Sequence, residues 1–329
     1  MRLETFTAVG PDGFTRRGVL THASSGHPKA ALVLLPAGTQ PRPGPGRLYF
    51  DLAERLANDG ITTLRIDALG IGESDGTLDV LPTFELWQRI ESGAFVPDAI
   101  LAMRALAAQL GRHVPIYAGG LCGGGLTALV AAADAPDEVA GVIALNIAVR
   151  STPRPGQAAP AVASEARSQI GGYARKLLSP SAWPRALAGG IHLRAIVHTA
   201  AAALRRSNRG GVLNPTFEAG FDRAIASGVR QLHLFGGTDA RWHQFHDLVL
   251  RPKWCGAVDG AHHRVRIVPE AEHHFMSPAW RQQVAVWIVE WIDDQVRAGA
   301  AVELAGLGTS STRNMADGVE RMSSGSETL

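Results

Sequence analysis

The sequence predicts an α/β fold, in which helices cover both faces of a mostly parallel β-sheet. Short apolar runs suited to buried parallel strands alternate with longer segments whose apolar residues recur at helical spacing. Turns containing Gly and Pro separate these segments. In the middle of the chain, the apolar run at residues 114–118 leads through a glycine-rich turn into a helix of small residues. This alternation is typical of parallel strands joined by crossover helices.

The individual elements follow from length and periodicity. The predicted strands are roughly four to eight residues long, and they cover residues 2–9, 17–22, 30–35, 61–66, 114–118, 139–145, 228–235 and 265–268. The predicted helices have apolar residues every three or four positions, and they cover residues 48–58, 95–110, 279–296 and the segment after Cys122. Together they predict one α/β core formed by residues 1–146 and 214–298.

Two segments stand apart from this core. Residues 147–213 interrupt the strand–helix alternation after a central strand, where an insertion is expected to form a lid over a site. This insertion contains ten basic residues and a single acidic one, Glu165, although the whole chain has a net charge of only +2. It is either a solvated helical face or an approach surface for an anionic partner. Residues 299–329 are rich in Ser, Thr and Gly and are expected to be a disordered tail.

Composition excludes several classes of protein. A hydrophobic content of 46% with 19% charged residues is typical of a soluble globular protein, and a net charge of +2 does not indicate a nucleic-acid binder. The two cysteines do not suggest a disulfide scaffold. The N-terminus lacks the apolar core of a signal peptide, and no window resembles a membrane span. A cytoplasmic protein with reduced thiols is expected.

The glycine-rich turn has the form Gly-x-Cys-x-Gly, with Cys122 between Gly120 and Gly124. Strand, glycine-flanked residue and helix form the layout of a nucleophile elbow, in which larger flanking side chains would collide with the strand or the helix. A helix N-terminus also favours the thiolate of Cys122. Two plainer interpretations are a phosphate-binding turn and a cysteine that serves as a small buried apolar residue.

A thiol nucleophile needs a base, and the base needs a group that orients it. In this layout the acid and then the histidine follow the nucleophile along the chain. Asp239 follows a predicted strand, where α/β sites are built, although an Asp at this place also makes a good helix N-cap. His273 and His274 follow the last predicted strand, and either histidine is a candidate base.

The oxyanion formed by attack on an acyl group needs two backbone donors. The N–H of Gly123, directly after the nucleophile, is one candidate. The second is expected in the loop after the strand at residues 30–35, at Thr39 or Gln40. Arg42 in the same loop either contacts a substrate carboxylate or is solvated.

These motifs resemble the α/β-hydrolase superfamily and, within it, the exosortase A system-associated hydrolases. The resemblance spans roughly residues 30–292, and its motifs are Gly38-Thr39-Gln40-Pro41-Arg42, Leu64-Arg65-Ile66-Asp67, Gly70-Ile71-Gly72-Glu73-Ser74-Asp75-Gly76, Gly120-Leu121-Cys122-Gly123-Gly124, Leu145-Asn146, Gly237-Thr238-Asp239-Ala240 and Glu272-His273-His274-Phe275. It implies an α/β-hydrolase fold with a catalytic triad of Cys122, Asp239 and His273. The chain departs from the family pattern at Gly123, where an acidic residue is usual, and at Glu272, where aspartate is usual. The cysteine nucleophile is shared with dienelactone hydrolases.

The sequence therefore predicts a cysteine-dependent hydrolase that cleaves an ester or thioester through an acyl-enzyme on Cys122. The acyl substrate is a small molecule, which coenzyme A or an acyl carrier protein is suited to present because both are anionic. No metal or organic cofactor is implied. Two alternatives remain: an acyltransferase or cyclase that uses the same triad, and a non-catalytic binding protein with a degenerate nucleophile.

Overall fold

The computed structural model describes residues 1–78, 81–156, 213–250, 254 and 262–299. Most of the predicted lid at residues 147–213, almost all of the tail at residues 299–329, and Cys255 lie outside these ranges. The lid and the tail therefore remain predictions.

An eight-stranded sheet forms the centre of the structure, with the strand order β1-β2-β4-β3-β5-β6-β7-β8. The strands are β1 (Leu3–Val9), β2 (Thr15–Thr21), β3 (Ala30–Leu35), β4 (Ile61–Ile66), β5 (Ile116–Leu121), β6 (Gly141–Leu145), β7 (Gln231–Gly236) and β8 (His263–Val268). β2 pairs antiparallel with both β1 and β4, and all the other neighbouring strands are parallel. This arrangement confirms the predicted fold class.

The helices of the described residues are α1 (Leu48–Asn58), α2 (Thr83–Glu91), α3 (Val96–Leu110), α4 (Gly123–Asp134), α5 (Pro215–Ala226), α6 (Ala240–Phe245) and α7 (278–299). The bounds of β3, β4 and α1 agree with the sequence prediction. Helix α2 was not predicted, although Phe84, Trp87 and Ile90 recur at three-residue spacing in it. Only Ile90 and Glu91 of this helix are buried.

Helix α4, which follows Cys122, is the most deeply buried helix of the described residues. Every position from Gly123 to Ala133 is buried. Its small side chains allow close packing: a Cβ added to Gly220 of α5 would lie 2.9 Å from the Val130 side chain. The main apolar cluster includes residues of α3, α4 and α5 and of the strands that they cover. A rigid, close-packed support of this kind fixes the start of α4, and with it Cys122.

The chain divides into two compact units, Met1–Ala285 and Val286–Leu329. The first unit contains the whole sheet and all the candidate site residues. In the second unit, residues 286–299 are described and helical. Among the described residues, no single helix is both long and apolar enough to cross a bilayer, and only the bent pair α2 and α3 meets that criterion jointly.

Candidate active site

Cys122 lies on a sharp turn between β5 and α4. Its backbone has φ 57° and ψ −112°, a combination that L-residues rarely adopt, and its N–H donates to the Leu145 carbonyl at 2.8 Å. A Cβ on Gly120 would lie 2.8 Å from the Gly124 carbonyl carbon, and one on Gly124 would lie 2.6 Å from the Leu35 oxygen. The two glycines are therefore required sterically, which is the arrangement expected of a nucleophile elbow.

Tyr49 of α1 supports the strand just before this turn. Its hydroxyl oxygen accepts a hydrogen bond from the Leu121 N–H at 2.6 Å. The side chain is fully buried, and burial raises the pKa of Tyr49 well above its usual value, so that the phenol stays neutral. Tyr49 thereby satisfies a backbone donor next to Cys122. Nothing in the sequence pattern pointed to this contact.

His273 joins Asp239 to Cys122. Its Nδ1 lies 2.5 Å from Asp239 Oδ2, and the same side chain forms a hydrogen bond with the Cys122 thiol. The other carboxylate oxygen of Asp239 accepts the Arg241 N–H at 3.1 Å, at the N-terminus of α6. Asp239 therefore caps α6 and also binds His273, so the cap does not prevent the contact that a triad requires.

The loop that carries His273 is fixed on both sides. Asn146, fully buried at the end of β6, donates from Nδ2 to the His273 carbonyl and accepts the Gly236 N–H, each at 2.9 Å. The Glu272 carboxylate accepts the N–H groups of His274 and Met276 at 2.7 and 2.6 Å. Glu272 thus closes the loop through its own side chain.

His274 has a different environment from its neighbour. Its side chain is 47% exposed, and its ring meets the His273 ring edge-on with the centroids 4.9 Å apart. Its nearest carboxylate contact joins Nδ1 to Glu272 Oε2 at 3.8 Å, too long for a hydrogen bond. Burial and the neighbouring His273 lower the pKa of His274. Of the two candidate bases, only His273 contacts both Cys122 and Asp239.

The charges around Cys122 favour a thiolate. Burial raises the pKa of the Cys122 thiol. The positive charge of Arg241 and the hydrogen bonds from His273 and the Gly123 N–H outweigh this effect, so the pKa lies below its ordinary value. Burial has the opposite effect on the pKa of His273 and lowers it, but Asp239 and Cys122 outweigh burial and raise this pKa to about 9. At neutral pH these shifts favour a thiolate–imidazolium pair.

The loop after β3 passes close to Gly123. A Cβ added to Gly123 would lie 3.5 Å from the Gly38 nitrogen. The Gln40 N–H donates to the Ala37 carbonyl at 3.3 Å, whereas the Thr39 N–H has no hydrogen-bond acceptor within the described part of the chain. Of the two predicted candidates for the second oxyanion donor, Thr39 has the more available N–H.

Two cavities meet at His273. The first has a volume of about 420 Å³ and is lined by Ala37, Thr39, Gln40, Pro45, Gly46, Trp87, Leu121, Cys122, His273, His274 and Met276. The second has a volume of about 340 Å³ and is lined by Glu91, Arg150, Ser151, Thr152, Pro153, Asp239, Ala240, Arg241, Gln244 and His273. The described residues include no cluster of three or more His, Cys, Asp or Glu side chains suited to a metal ion.

Comparisons with known proteins bear on the fold of the chain. The family described as serine aminopeptidase, S33, matches residues 27–189, just under half of the chain. The solved α/β hydrolase GrgF from Penicillium sp. sh18 is 19% identical, with a TM-score of 0.52 over 91% of this chain and 99% of that chain. The chain has the α/β-hydrolase fold.

Two further solved structures have the same fold as this chain. DcsB, solved in complex with its substrate analogue, is 14% identical, with a TM-score of 0.54 over 90% of this chain and 99% of that chain. Est1E from Butyrivibrio proteoclasticus, solved with ferulic acid bound, is 15% identical, with a TM-score of 0.51 over 88% of this chain and 99% of that chain. Among curated proteins, no sequence match was found. At these identities the structural likeness establishes the fold of the chain.

Arg42 binds two carboxylates of the loop after β4. Its N–H and guanidinium bind the carboxylate of the fully buried Asp67, at 2.6 and 2.5 Å, and its other terminal nitrogen contacts Glu73 at 2.7 Å. Ser74 donates to the Asp67 carbonyl at 2.7 Å. This cluster ties the loop after β3 to the loop after β4. Arg42 is therefore neither a solvated arginine nor one that faces the cavity beside Cys122.

The sequence interpretation assigned no individual role to several residues around the candidate site. Asn146 belongs to the Leu145-Asn146 motif, but it contacts His273, which lies 127 positions further along the chain, and no short sequence pattern indicates such a contact. Arg241 follows Asp239 by two residues, and Trp87 lies on the unpredicted helix α2. Their proximity to Cys122 depends on tertiary packing, which short-range patterns do not encode.

Proposed function

We propose that the protein is a cysteine-dependent hydrolase that cleaves an ester or thioester through an acyl-enzyme on Cys122. One observation carries the proposal: the His273 side chain is hydrogen-bonded to both Cys122 and Asp239. Cys122 itself lies on a turn whose flanking positions, Gly120 and Gly124, have no room for a larger side chain. A buried structural cysteine does not require this partner, and a phosphate-binding turn does not require a histidine–aspartate pair.

Acylation begins from the thiolate–imidazolium pair. The Cys122 sulfur attacks the acyl carbon, and the carbonyl electrons move onto the oxygen. The N–H groups of Gly123 and Thr39 are the proposed donors to this oxyanion. As the tetrahedral intermediate collapses, His273 gives its proton to the departing alcohol or thiol, which leaves the acyl group on sulfur and a neutral imidazole.

Deacylation reverses these roles. Neutral His273 takes a proton from water, and the resulting hydroxide attacks the thioester carbonyl. The Cys122 thiolate then leaves, and the imidazolium is restored beside it. Asp239 accepts a hydrogen bond from the Nδ1–H group throughout, which keeps Nε2 directed at the sulfur and at the incoming water. Atoms and charges balance over the cycle, with water and the acyl substrate consumed and an acid and an alcohol or thiol released.

The cavity beside Cys122 suits the acyl group. It contains the sulfur and the proposed oxyanion donors, and Trp87, Leu121 and Met276 contribute apolar surface. Its volume of about 420 Å³ is in the lower part of the range for small-molecule sites. A short or medium acyl chain fits this space. Presentation of the acyl group on coenzyme A or an acyl carrier protein is part of the proposal, because of the basic insertion at residues 147–213.

Mass spectrometry after mixing with p-nitrophenyl acetate or a short acyl thioester tests the proposal. A burst of product with an acetyl adduct on Cys122 that turns over in water is expected. Cys122→Ala should give neither, whereas His274→Ala should still form the adduct. A stable adduct released only by a second nucleophile would instead establish an acyltransferase or cyclase. Absence of any adduct, or an adduct that persists in Cys122→Ala, would overturn the proposal.

A further inference from the structure

The second cavity differs chemically from the one that contains Cys122. It lies on the other side of His273 and is bordered by the start of α6, by the end of α2 and by the chain just after β6. Its lining includes Ser151, Gln244 and two arginines, Arg150 and Arg241, together with Thr152, whose hydroxyl donates to Glu91. These groups include several hydrogen-bond donors and suit a polar group better than an acyl chain.

The carboxylates of this cavity are already engaged. Asp239 binds His273 and caps α6. Glu91, which is 8% exposed, accepts hydrogen bonds from the N–H of Thr152 at 2.8 and 3.1 Å and from its hydroxyl at 2.6 Å. Both negative charges therefore have local partners.

Arg241 supplies a positive charge that these carboxylates do not neutralise through an ion pair. Its backbone N–H is held by Asp239, and the residue is partly buried. Within the described residues, no carboxylate oxygen lies at ion-pair distance from its guanidinium group. A guanidinium group in a polar cavity next to a reacting centre binds carboxylates and phosphates through paired, charge-assisted hydrogen bonds.

We infer that the second cavity binds an anionic group, a carboxylate or a phosphate, on the leaving-group side of the scissile bond, and that Arg241 is its binding residue. The inference rests on the proposed function. Cys122 and the Thr39 loop line only the first cavity, so the acyl part lies there. His273, which protonates the leaving group, lines both cavities, so the leaving group extends past it towards Arg241.

The size of the cavity limits this group. A volume of about 340 Å³ holds a phosphate or a short carboxylic acid with its linker, but not a whole nucleotide-containing thiol. The anion is therefore close to the scissile bond in small substrates. In a larger substrate it is a part of the leaving group that folds back towards α6.

Three thioesters, which share the acetyl group and differ in the thiol that leaves, test the inference. The thiols are 2-mercaptoethanol, 3-mercaptopropionate and 2-mercaptoethyl phosphate, which are neutral, carboxylated and phosphorylated. We compare kcat/KM for wild type, Arg241→Met, Arg241→Lys and Arg223→Met. Arg223 lies on α5, pairs with Asp134 and is half-exposed, so its substitution is a matched control for loss of one arginine.

The ratio of wild-type to Arg241→Met kcat/KM should be about 10- to 100-fold larger for at least one anionic thioester than for the neutral one. The thiolate effect of Arg241 is common to all three substrates and cancels in this comparison. Arg241→Lys should recover part of the difference, and Arg223→Met should show none. Of the two anionic thioesters, the one with the larger ratio of wild-type to Arg241→Met kcat/KM shows whether the cavity prefers a carboxylate or a phosphate.

Equal ratios for all three thioesters would overturn the inference while leaving the proposed function intact, provided that Cys122 is acetylated. Absence of a Cys122 adduct from any thioester with wild type would overturn both. If Arg241→Met does not fold, wild type still provides a test with unreactive analogues. Either 3-(methylthio)propionate or 2-(methylthio)ethyl phosphate should inhibit acylation competitively, and 2-(methylthio)ethanol should not. Equal inhibition by all three analogues would also overturn the inference.

Discussion

Replacing Asn146 by glycine removes two hydrogen bonds that connect β6 to β7 and to the His273 loop. The lost partners are the Gly236 N–H and the His273 carbonyl, each 2.9 Å from the amide. Asn146 has φ 41°, in the left-handed region that glycine tolerates, so Asn146→Gly removes the side chain without adding backbone strain. Asn146→Ala removes the same bonds and adds that strain.

The magnitude follows from the burial of these groups. The Asn146 side chain is fully buried, and a buried backbone group left without its partner costs about 1–3 kcal/mol. Loss of both bonds should lower the free energy of unfolding by about 2–5 kcal/mol, and Asn146→Ala should be less stable than Asn146→Gly. Because His273 loses an anchor, kcat/KM should also fall roughly 10- to 100-fold.

Urea unfolding measures the first effect, and ester hydrolysis measures the second. The pH dependence of Cys122 alkylation separates positioning from general destabilisation. If Asn146 positions His273, the thiolate should form at higher pH in Asn146→Gly than in wild type. A variant that loses stability but keeps kcat/KM and the alkylation profile unchanged would refute the positioning role. An unchanged free energy of unfolding would refute the hydrogen-bond argument itself.

Three further predictions concern the triad, the elbow and the insertion. His273→Ala should lower kcat by several orders of magnitude and His274→Ala by about tenfold or less, and the reverse order would show that the wrong histidine was chosen. Gly124→Ala should disrupt folding, measured by thermal unfolding, because its Cβ would lie 2.6 Å from the Leu35 oxygen, and a fully stable variant would contradict this. For a coenzyme A or carrier-bound thioester, kcat/KM should fall steeply with added salt, and that for a neutral ester should not. Equal salt responses would indicate that the insertion at residues 147–213 is only a solvated face.

Much of the fold could be predicted from the sequence because buried parallel strands leave a strong local signal. The run at residues 30–35 is apolar throughout, and the structure places β3 at these positions. Helix α2 was not predicted although its apolar residues recur at helical spacing; it has only nine residues and buries two of them. The antiparallel pairing of β2 with β4 was also not specified, since register between distant strands depends on tertiary packing.

The candidate site was only partly predictable. Cys122, Asp239 and the pair of histidines each follow a strand, and the ends of parallel strands meet at one edge of a sheet, so proximity followed from topology. The sequence interpretation left open which loop amide is available to an oxyanion. That depends on the turn in which the Gln40 N–H is bonded to Ala37. The cavity beside Arg241 depends on contacts between segments far apart in the chain.

The central claim is that Cys122 reacts as a thiolate paired with His273. The most direct measurement is the rate of Cys122 alkylation by iodoacetamide as a function of pH, in wild type and in His273→Ala. In wild type, the alkylation rate of Cys122 should follow a pKa below the ordinary thiol value of about 8.5, and this pKa should rise in His273→Ala. Cys122 should also react much faster than Cys255. Hydrolysis should fall above pH 9 as His273 loses its proton, while alkylation continues. A wild-type pKa at or above the ordinary value, or profiles that coincide for wild type and His273→Ala, would contradict the account.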